Sequence, residues 1–193
     1  MMQKEKNTIK PKELLSGSLC YLIGSIEYAN DQGTNWRTSL RDQCKNSSLK
    51  IKFLDPTAKI SGLQPEIDAA QDDINALKKK GKWDTLSMYM KPIVREDHRC
   101  VDISDFVVFY LDTSCHTCGS YFEFQNALEE KKPYFLIVKG GKKNTPAWLF
   151  GIMDHENIYN SVEEVVNTLI KIDNGTKSLS DRWVLIRKQI EEM

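Results

Sequence analysis

The alternation of apolar and polar stretches along the chain predicts strands and helices in regular succession. The clearest unit runs from 101 to 138: an apolar run at Phe106–Leu111, a loop of small and polar residues, a helix that begins near Ser120, and a second apolar run at Tyr134–Val138. A strand that is apolar at every position is typical of one buried on both faces. The segment is therefore predicted to be a β-α-β unit, with Phe122, Ala127 and Leu128 on one side of its helix.

The rest of the chain continues the same alternation. Strands are predicted at Leu19–Ile26 and Leu49–Leu54, and helices from Trp36 to Cys44 and over Gln64–Lys80, Lys82–Arg99, Ser161–Ile170 and Ser180–Glu192. Pro92 should break the third of these helices or mark its first turn. Ser161 followed by Glu164 has the spacing of a capping box. The order of elements predicts the α/β class, with a mainly parallel sheet and helices on both faces.

The length and the charge of the chain limit the classes of function to consider. The 193 residues suffice for one sizeable domain, which we place at 19–193 after a flexible leader at 1–18. Lysine plus arginine and aspartate plus glutamate are balanced at 27 each, which disfavours nucleic acid as a partner. No apolar run reaches the roughly 20 residues that a membrane span needs, and the lysine-rich start does not resemble a signal peptide. We therefore expect no membrane partner and a cytoplasmic location, with the five cysteines reduced.

Glu123 is the first candidate for a catalytic residue. It lies in the first turn of the helix in the β-α-β unit, and ligands of open α/β sheets bind at the carboxyl ends of the strands. A carboxylate at that edge, beside small residues that leave room for a ligand, is a candidate nucleophile. The alternative is a glutamate that only stabilises the positive end of the helix dipole.

Three segments carry a resemblance to a known family. They are YLIGSI at 21–26, REDHRCVDISDFVVFYLD at 95–112 and TCGSYFEFQNALEEKKP at 117–133, and the stretch at 139–152 adds to them. Together they resemble the nucleoside 2-deoxyribosyltransferase superfamily over roughly residues 19–170. The resemblance implies a flavodoxin-like (Rossmann-like) α/β domain that cleaves or exchanges the N-glycosidic bond of nucleosides or nucleotides.

The resemblance also assigns roles to residues. It implies that Glu123 is the nucleophile, that Asp97 contacts or protonates the base, and that the hydroxyl of Tyr21 orients the nucleophile. This suits the chemistry, since breaking the bond from C1′ to nitrogen leaves positive charge on the sugar and the base needs a proton. The expected substrate-binding residues share positions in turns or at strand ends: Gly24, Ser25, Asp112, Thr117, Gly119 and Ser120.

Thr117 departs from the pattern of the nucleoside transferases. Six residues before the nucleophile, those proteins have an aspartate that holds the 5′-hydroxyl of the sugar, whereas this chain has Thr117. Relatives that cleave nucleoside 5′-monophosphates have a hydroxyl residue there, because a carboxylate would repel the phosphate. With turns and a helix N-terminus close by, a bound 5′-phosphate is a hypothesis, and the choice between a nucleoside and its 5′-monophosphate stays open.

Two other functions stay open. A nucleotide-sensing module could keep the pocket without turnover. A lysine-decarboxylase-like phosphoribohydrolase also uses a glutamate after a glycine-rich turn, but its Pro-Gly-Gly-x-Gly-Thr run is replaced here by His-Thr-Cys-Gly-Ser at 116–120. As partners we expect a small-molecule nucleoside or nucleotide and, as in the family, a second copy of the chain, with 146–150 or the last helix as the interface. Neither the choice between transfer and hydrolysis nor the identity of the base or sugar follows from the sequence.

A loop that contains cysteine and histidine is a candidate for a metal site or a redox-active cysteine pair. Cys115 and Cys118 are spaced as a C-x-x-C pair, and zinc could in principle recruit His116, His98 and Cys100 as well. The loop lacks the thioredoxin-like setting of a redox pair, and His98 and Cys100 are too close in sequence for the usual zinc spacing. We expect neither a metal nor another cofactor.

Overall fold

A computed structural model describes residues 13–58, 69–184 and 186 of the chain. The strands are β1 (Leu19–Gly24), β2 (Lys52–Leu54), β3 (Phe106–Leu111), β4 (Tyr134–Val138) and β5 (Ile158–Tyr159). The helices are α1 (Thr34–Asn46), α2 (Ala69–Lys79), α3 (Trp83–Ile103), α4 (Cys118–Glu129) and α5 (Val162–Asp173). The strands form one parallel sheet in the order β2-β1-β3-β4-β5, which confirms the predicted flavodoxin-like α/β fold.

The sheet has a buried core on each face, and strand β1 contributes to both. Cys20 and Leu22 face the core beneath α1 and α5, whereas Tyr21 and Ile23 face the core beneath α3 and α4. This follows from the two-residue period of a strand, which sends successive side chains to opposite faces. Tyr21 therefore lies on the same side of the sheet as the helices that carry Asp97 and Glu123.

Strands β3 and β4 have the bounds that the sequence predicts. Every residue of both strands is buried except Tyr110, which is partly buried. Helices on both faces explain this, because no position of a central parallel strand then reaches solvent. Strand β1 ends at Gly24 instead of Ile26, β2 begins at Lys52 instead of Leu49, and α4 begins two residues before Ser120.

Pro92 does not break the helix that contains it. Helix α3 runs without interruption from Trp83 to Ile103, with Pro92 exposed in its interior. Proline removes one backbone hydrogen bond and normally destabilises a helix interior. Here the C-terminal part of α3 buries Cys100 and Val101 against the sheet, so tertiary packing compensates for the local preference.

Other predictions for the helices are corrected or extended by the structure. Phe122 is 65% exposed and does not join Ala127 on the buried side of α4. The sequence analysis did not predict the two-residue strand β5 or the short 3-10 turns at Lys142–Asn144, Ala147–Gly151 and His155–Asn157. Ser161 caps α5 as predicted, since its hydroxyl accepts from the backbone N–H of Glu164. The start of the helix predicted at Gln64 and most of the one at Ser180–Glu192 lie outside the described residues.

The end of the predicted leader packs against the domain. Leu14 and Leu15 are buried in the core beneath α1 and α5. The backbone N–H of Leu15 donates to the Asp173 carboxylate at 2.9 Å, and that of Leu14 donates to the Asp173 carbonyl at 3.1 Å. These two residues are thus part of the folded core, while the division of the chain at residue 18 stays a prediction.

Candidate active site

One tyrosine hydroxyl reaches two carboxylates at the centre of the site. The hydroxyl of Tyr21 lies 3.0 Å from Glu123 Oε1 and 3.4 Å from Asp97 Oδ1. Because a phenol carries a single proton, it donates to one carboxylate at a time. The structure thus brings together the three residues that the resemblance assigned to catalysis.

The position of each carboxylate follows from the periodicity of its helix. Asp97 precedes Cys100 by three residues and Val101 by four, and both of these are buried against the sheet. Residues three and four apart share a helix face, so Asp97 points towards the sheet. In the same way, Glu123 lies three residues after buried Ser120 and four before buried Ala127. Both side chains reach the hydroxyl at the edge of the core.

Electrostatics favour a proton on this pair of carboxylates. Burial, followed by the negative charge of Asp97, raises the pKa of Glu123 to about 8. The hydrogen bond from Tyr21 and the positive charge of Arg37 act in the opposite direction but are weaker. Two close carboxyl groups titrate as one unit, so the raised pKa favours a proton on the pair near neutral pH.

Arg37 is a part of this site that the sequence analysis missed. It is fully buried, and its guanidinium donates to the backbone carbonyls of Leu22, Gly24 and Gly33 at 3.4 Å or less. Its Nε also lies 3.6 Å from a carboxylate oxygen of buried Asp55. A buried charge is costly unless it is paired and hydrogen-bonded, and Arg37 meets both conditions. It holds the end of β1 and the loop that follows in place.

A cavity of about 280 Å³ opens beside the two carboxylates. It is lined by five of the six residues predicted to bind substrate, namely Gly24, Ser25, Thr117, Gly119 and Ser120. Asp97 and Glu123 also line it, together with apolar residues of α2 and α3. Thr117 and Ser120 are buried, with 8% and 7% of their surface exposed. The cavity therefore combines a polar end at the start of α4 with an apolar wall.

The close packing around position 24 requires a glycine. A Cβ atom there would lie 3.0 Å from the ring of Trp36 and 3.1 Å from the carbonyl oxygen of Tyr110. Neither can retreat easily, since the Trp36 ring stacks on the Tyr110 ring 5.2 Å away and the Tyr110 carbonyl belongs to strand β3, which pairs with β1 here. At Gly119, by contrast, a Cβ atom would meet nothing within 4 Å, so this glycine leaves open space at the cavity.

Comparison with solved structures identifies the fold. A 2-desoxiribosyltransferase from Leishmania mexicana superimposes with a TM-score of 0.51, covering 80% of this chain and 97% of its own, at 14% sequence identity. This chain shares the fold of that deoxyribosyltransferase. The resemblance inferred from the sequence is thereby confirmed at the level of the fold.

Two further solved structures are similar at lower scores. A CMP N-glycosidase from Clostridium botulinum gives a TM-score of 0.42 at 12% identity, covering 79% of this chain and 98% of its own. A conserved protein from Enterococcus faecalis gives 0.43 at 14% identity, covering 92% and 100%. No protein-family model and no curated protein matches the sequence.

Within this deoxyribosyltransferase fold, Asp112 is the predicted substrate-binding residue that does not line the cavity beside Glu123. It lines a second cavity of about 560 Å³, which shares Ser25 and Tyr28 with the first. Burial opposes ionisation of Asp112, but hydrogen bonds from Lys139 and Ser114 outweigh it and lower the pKa of Asp112 to about 2. Its carboxylate is thus already engaged, with Lys139 Nζ at 2.6 Å.

The cysteine- and histidine-containing loop contacts the loop after β1. Cys115 Sγ donates to the backbone carbonyl of Tyr28 at 3.4 Å, and the rings of Tyr28 and His116 meet edge-on with centroids 5.4 Å apart. Among residues 13–58, 69–184 and 186, no group of three or more His, Cys, Asp or Glu side chains is arranged to hold a metal ion. Cys100 is buried in the core beneath α3.

No helix in the described part of the deoxyribosyltransferase fold combines the length and the hydropathy that crossing a membrane requires.

Proposed function

We propose that this protein cleaves or exchanges the N-glycosidic bond of a nucleoside, a deoxynucleoside or a corresponding 5′-monophosphate. The observation that supports it most is the Tyr21 hydroxyl within 3.4 Å of both the Glu123 and the Asp97 carboxylates, at the edge of a cavity. Glycosidic cleavage through a covalent intermediate needs two carboxyl groups in different protonation states, one to attack and one to donate a proton. The single proton held by this pair meets that need.

The proposed first step forms one bond and breaks another. A carboxylate oxygen of Glu123 attacks C1′ of the sugar, and the electron pair of the bond from C1′ to nitrogen passes to the base. Asp97 gives its proton to the departing base, which leaves neutral. The attack requires the shared proton to lie on Asp97, and the hydrogen bond from Tyr21, which lowers the pKa of Glu123, favours that arrangement.

The second step releases the sugar. Water or a second base attacks C1′, the bond to Glu123 breaks, and the ionised Asp97 takes up the proton that the nucleophile loses. Water gives hydrolysis and a base gives transfer, so both reactions share the same residues. The family resemblance implies the same roles for Glu123, Asp97 and Tyr21.

A 5′-monophosphate is the substrate form that the polar end of the cavity favours. Thr117 is the N-cap of α4 and places a hydroxyl where a carboxylate would repel a phosphate. The buried hydroxyls of Ser25 and Ser120 line the same end, as do the first-turn amides of α4. Activity that is unchanged when the 5′-phosphate is removed would contradict this preference.

A substrate panel tests the function. Ribonucleosides, deoxyribonucleosides and their 5′-monophosphates are incubated with the protein, with and without a second free base, and released base is followed by chromatography. We expect release or exchange that disappears in Glu123→Ala. Binding of a nucleotide without release from any substrate would contradict the enzyme and would support the nucleotide-sensing module instead.

The rate of base release is expected to fall as the pH rises through about 8. The raised pKa of Glu123 means that the last proton of the pair leaves near that pH, and without it the base has no acid to protonate it. Log kcat/KM measured between pH 5 and pH 10 would show this limb. Asp97→Asn removes the acid that the base needs, so the falling limb near pH 8 should disappear. A wild-type profile that stays flat up to pH 10 would contradict the shared proton.

We also propose that two copies or more assemble through an aromatic patch. The patch consists of Phe122, Trp148 and Ile152, which line one shallow surface depression and are all exposed, Trp148 by 81%. Clustered apolar side chains at a surface are typical of interaction sites. Sedimentation equilibrium should show a dimer or higher oligomer that Trp148→Ser dissociates. A monomeric wild type at micromolar concentration would rule this interface out.

A further inference from the structure

A cationic side chain that lines the cavity beside Glu123 takes no part in the reaction steps proposed above. Lys78, near the end of α2, is the only lysine or arginine among the described residues that line the cavity. Its ammonium group is bound by the carboxylate of Glu27, in the loop after β1, and lies 5.7 Å above the ring centroid of Tyr28. Both Lys78 and Glu27 line the cavity.

Side-chain contacts connect Lys78 with the polar end of the cavity. The Tyr28 ring, beneath Lys78, meets the His116 ring with centroids 5.4 Å apart, and His116 immediately precedes the α4 N-cap, Thr117. The Ser25 hydroxyl donates to the His116 carbonyl at 3.4 Å. Lys78 and the start of α4 thus line the same cavity, with the Tyr28 and His116 rings in contact between them along its wall.

A phosphate can take the place of Glu27 at low cost. The Glu27 side chain is 34% exposed, so its carboxylate can turn into water when an anion arrives. The hydrogen bond that the Lys78 ammonium donates to Glu27 raises the pKa of Lys78, which stays protonated at neutral pH. The ion pair adds no net charge to the cavity, and only a ligand with its own negative charge gains from separating the two side chains.

We propose that Lys78 binds the 5′-phosphate of a nucleoside monophosphate by exchanging the carboxylate of Glu27 for the phosphate. The proposal rests on the function proposed above and names the residue that selects phosphorylated substrates. A nucleoside without phosphate leaves the ion pair between Lys78 and Glu27 intact. Lys78 therefore sets the preference between the two substrate forms, while Glu27 competes with the phosphate.

Two substitutions with opposite expected effects test the exchange. The quantity measured is the ratio of kcat/KM for a 5′-monophosphate to kcat/KM for the corresponding nucleoside. Lys78→Gln should lower this ratio about tenfold or more, because a charge-assisted hydrogen bond to the phosphate is lost. Glu27→Gln should raise it, because the competitor is removed. Lys79→Gln, at the exposed next position of α2, is the matched control.

Equal losses on both substrates in Lys78→Gln would overturn the proposal, as would a lower ratio in Glu27→Gln. Calorimetric binding of the same two ligands to Glu123→Gln separates this outcome from failure of the proposed reaction, because it needs no turnover. If the wild type releases no base, a monophosphate dissociation constant that Lys78→Gln weakens about tenfold still supports the phosphate site. A dissociation constant unchanged by Lys78→Gln, or no binding of the monophosphate, overturns it.

Discussion

Glu123→Gln is expected to lower the rate of base release by roughly 10⁴-fold, the scale on which removal of an enzyme nucleophile acts. The amide has nearly the shape of the carboxylate and can still accept the Tyr21 hydrogen bond. It cannot attack C1′, because its oxygen carries no negative charge. Single-turnover measurement of released base with the preferred substrate gives the rates to compare. A variant that keeps a tenth of the wild-type rate would exclude Glu123 as the nucleophile.

The same substitution should stabilise the fold, and increasingly so at higher pH. The folded-state pKa of Glu123 lies above its ordinary value, so the folded state loses stability as the pH rises from about 4.5 towards about 8. Glutamine does not titrate and is free of this loss. The gap in unfolding temperature between Glu123→Gln and wild type should therefore widen from pH 5 to pH 8.

Glu129→Gln supplies the matched control for that measurement. Glu129 is exposed on the same helix, α4, and its substitution should leave the pH dependence of the unfolding temperature as in wild type. In a chain of this size, 1 kcal/mol corresponds to about 2–4 °C in unfolding temperature, which is easily measured. A gap for Glu123→Gln that narrows with rising pH would mean that the carboxyl is not held protonated by the fold.

Asp97→Asn is expected to slow release of neutral bases by about 10²–10⁴-fold, the usual range for loss of a general acid. The loss should depend on the leaving group. An N7-methylated purine nucleoside already carries a positive charge on its base and departs without receiving a proton. The variant should therefore lose far less activity on the methylated substrate than on the unmethylated one.

Asp102→Asn controls for a change of charge on the same helix, since Asp102 lies on α3 and its side chain is 45% exposed. Its rates on both substrates should match those of wild type. Equal losses on the methylated and unmethylated substrates in Asp97→Asn would assign Asp97 to positioning the sugar or Tyr21 instead of protonating the base.

The sequence predicted those elements whose pattern is decided locally. Strands β3 and β4 are apolar at every position, so their bounds agreed with the structure. Strand β5 has only two residues and depends on its pairing with β4, which no local pattern reveals. Pro92 and Phe122 were misplaced for a related reason, because packing around a whole helix outweighed the preference of one residue.

Some residues of the candidate site were predicted from the sequence and others were not, for the same reason. Tyr21, Asp97 and Glu123 were found through motifs, and strand and helix periodicity explains why they meet. Arg37 gave no signal, because a single arginine in a polar helix resembles a solvated residue. Its burial depends on three carbonyls and Asp55, which come together only in the folded chain. Asp112 was predicted from its place at a strand end, but that place opens into the second cavity.

The hydroxyl of Tyr21 stands between two oxygen atoms whose charges change in opposite directions during the proposed reaction. When the sugar becomes attached to Glu123, that side chain turns into a neutral ester, while Asp97, having given up its proton, becomes negative. A rotation about the bond from ring carbon to oxygen then suffices to turn the phenolic proton from Glu123 to Asp97, since both lie within 3.4 Å. When the sugar is released and Asp97 regains its own proton, the phenolic proton turns back to Glu123. A single rotor can thus follow the negative charge through both half-reactions while the backbone stays still.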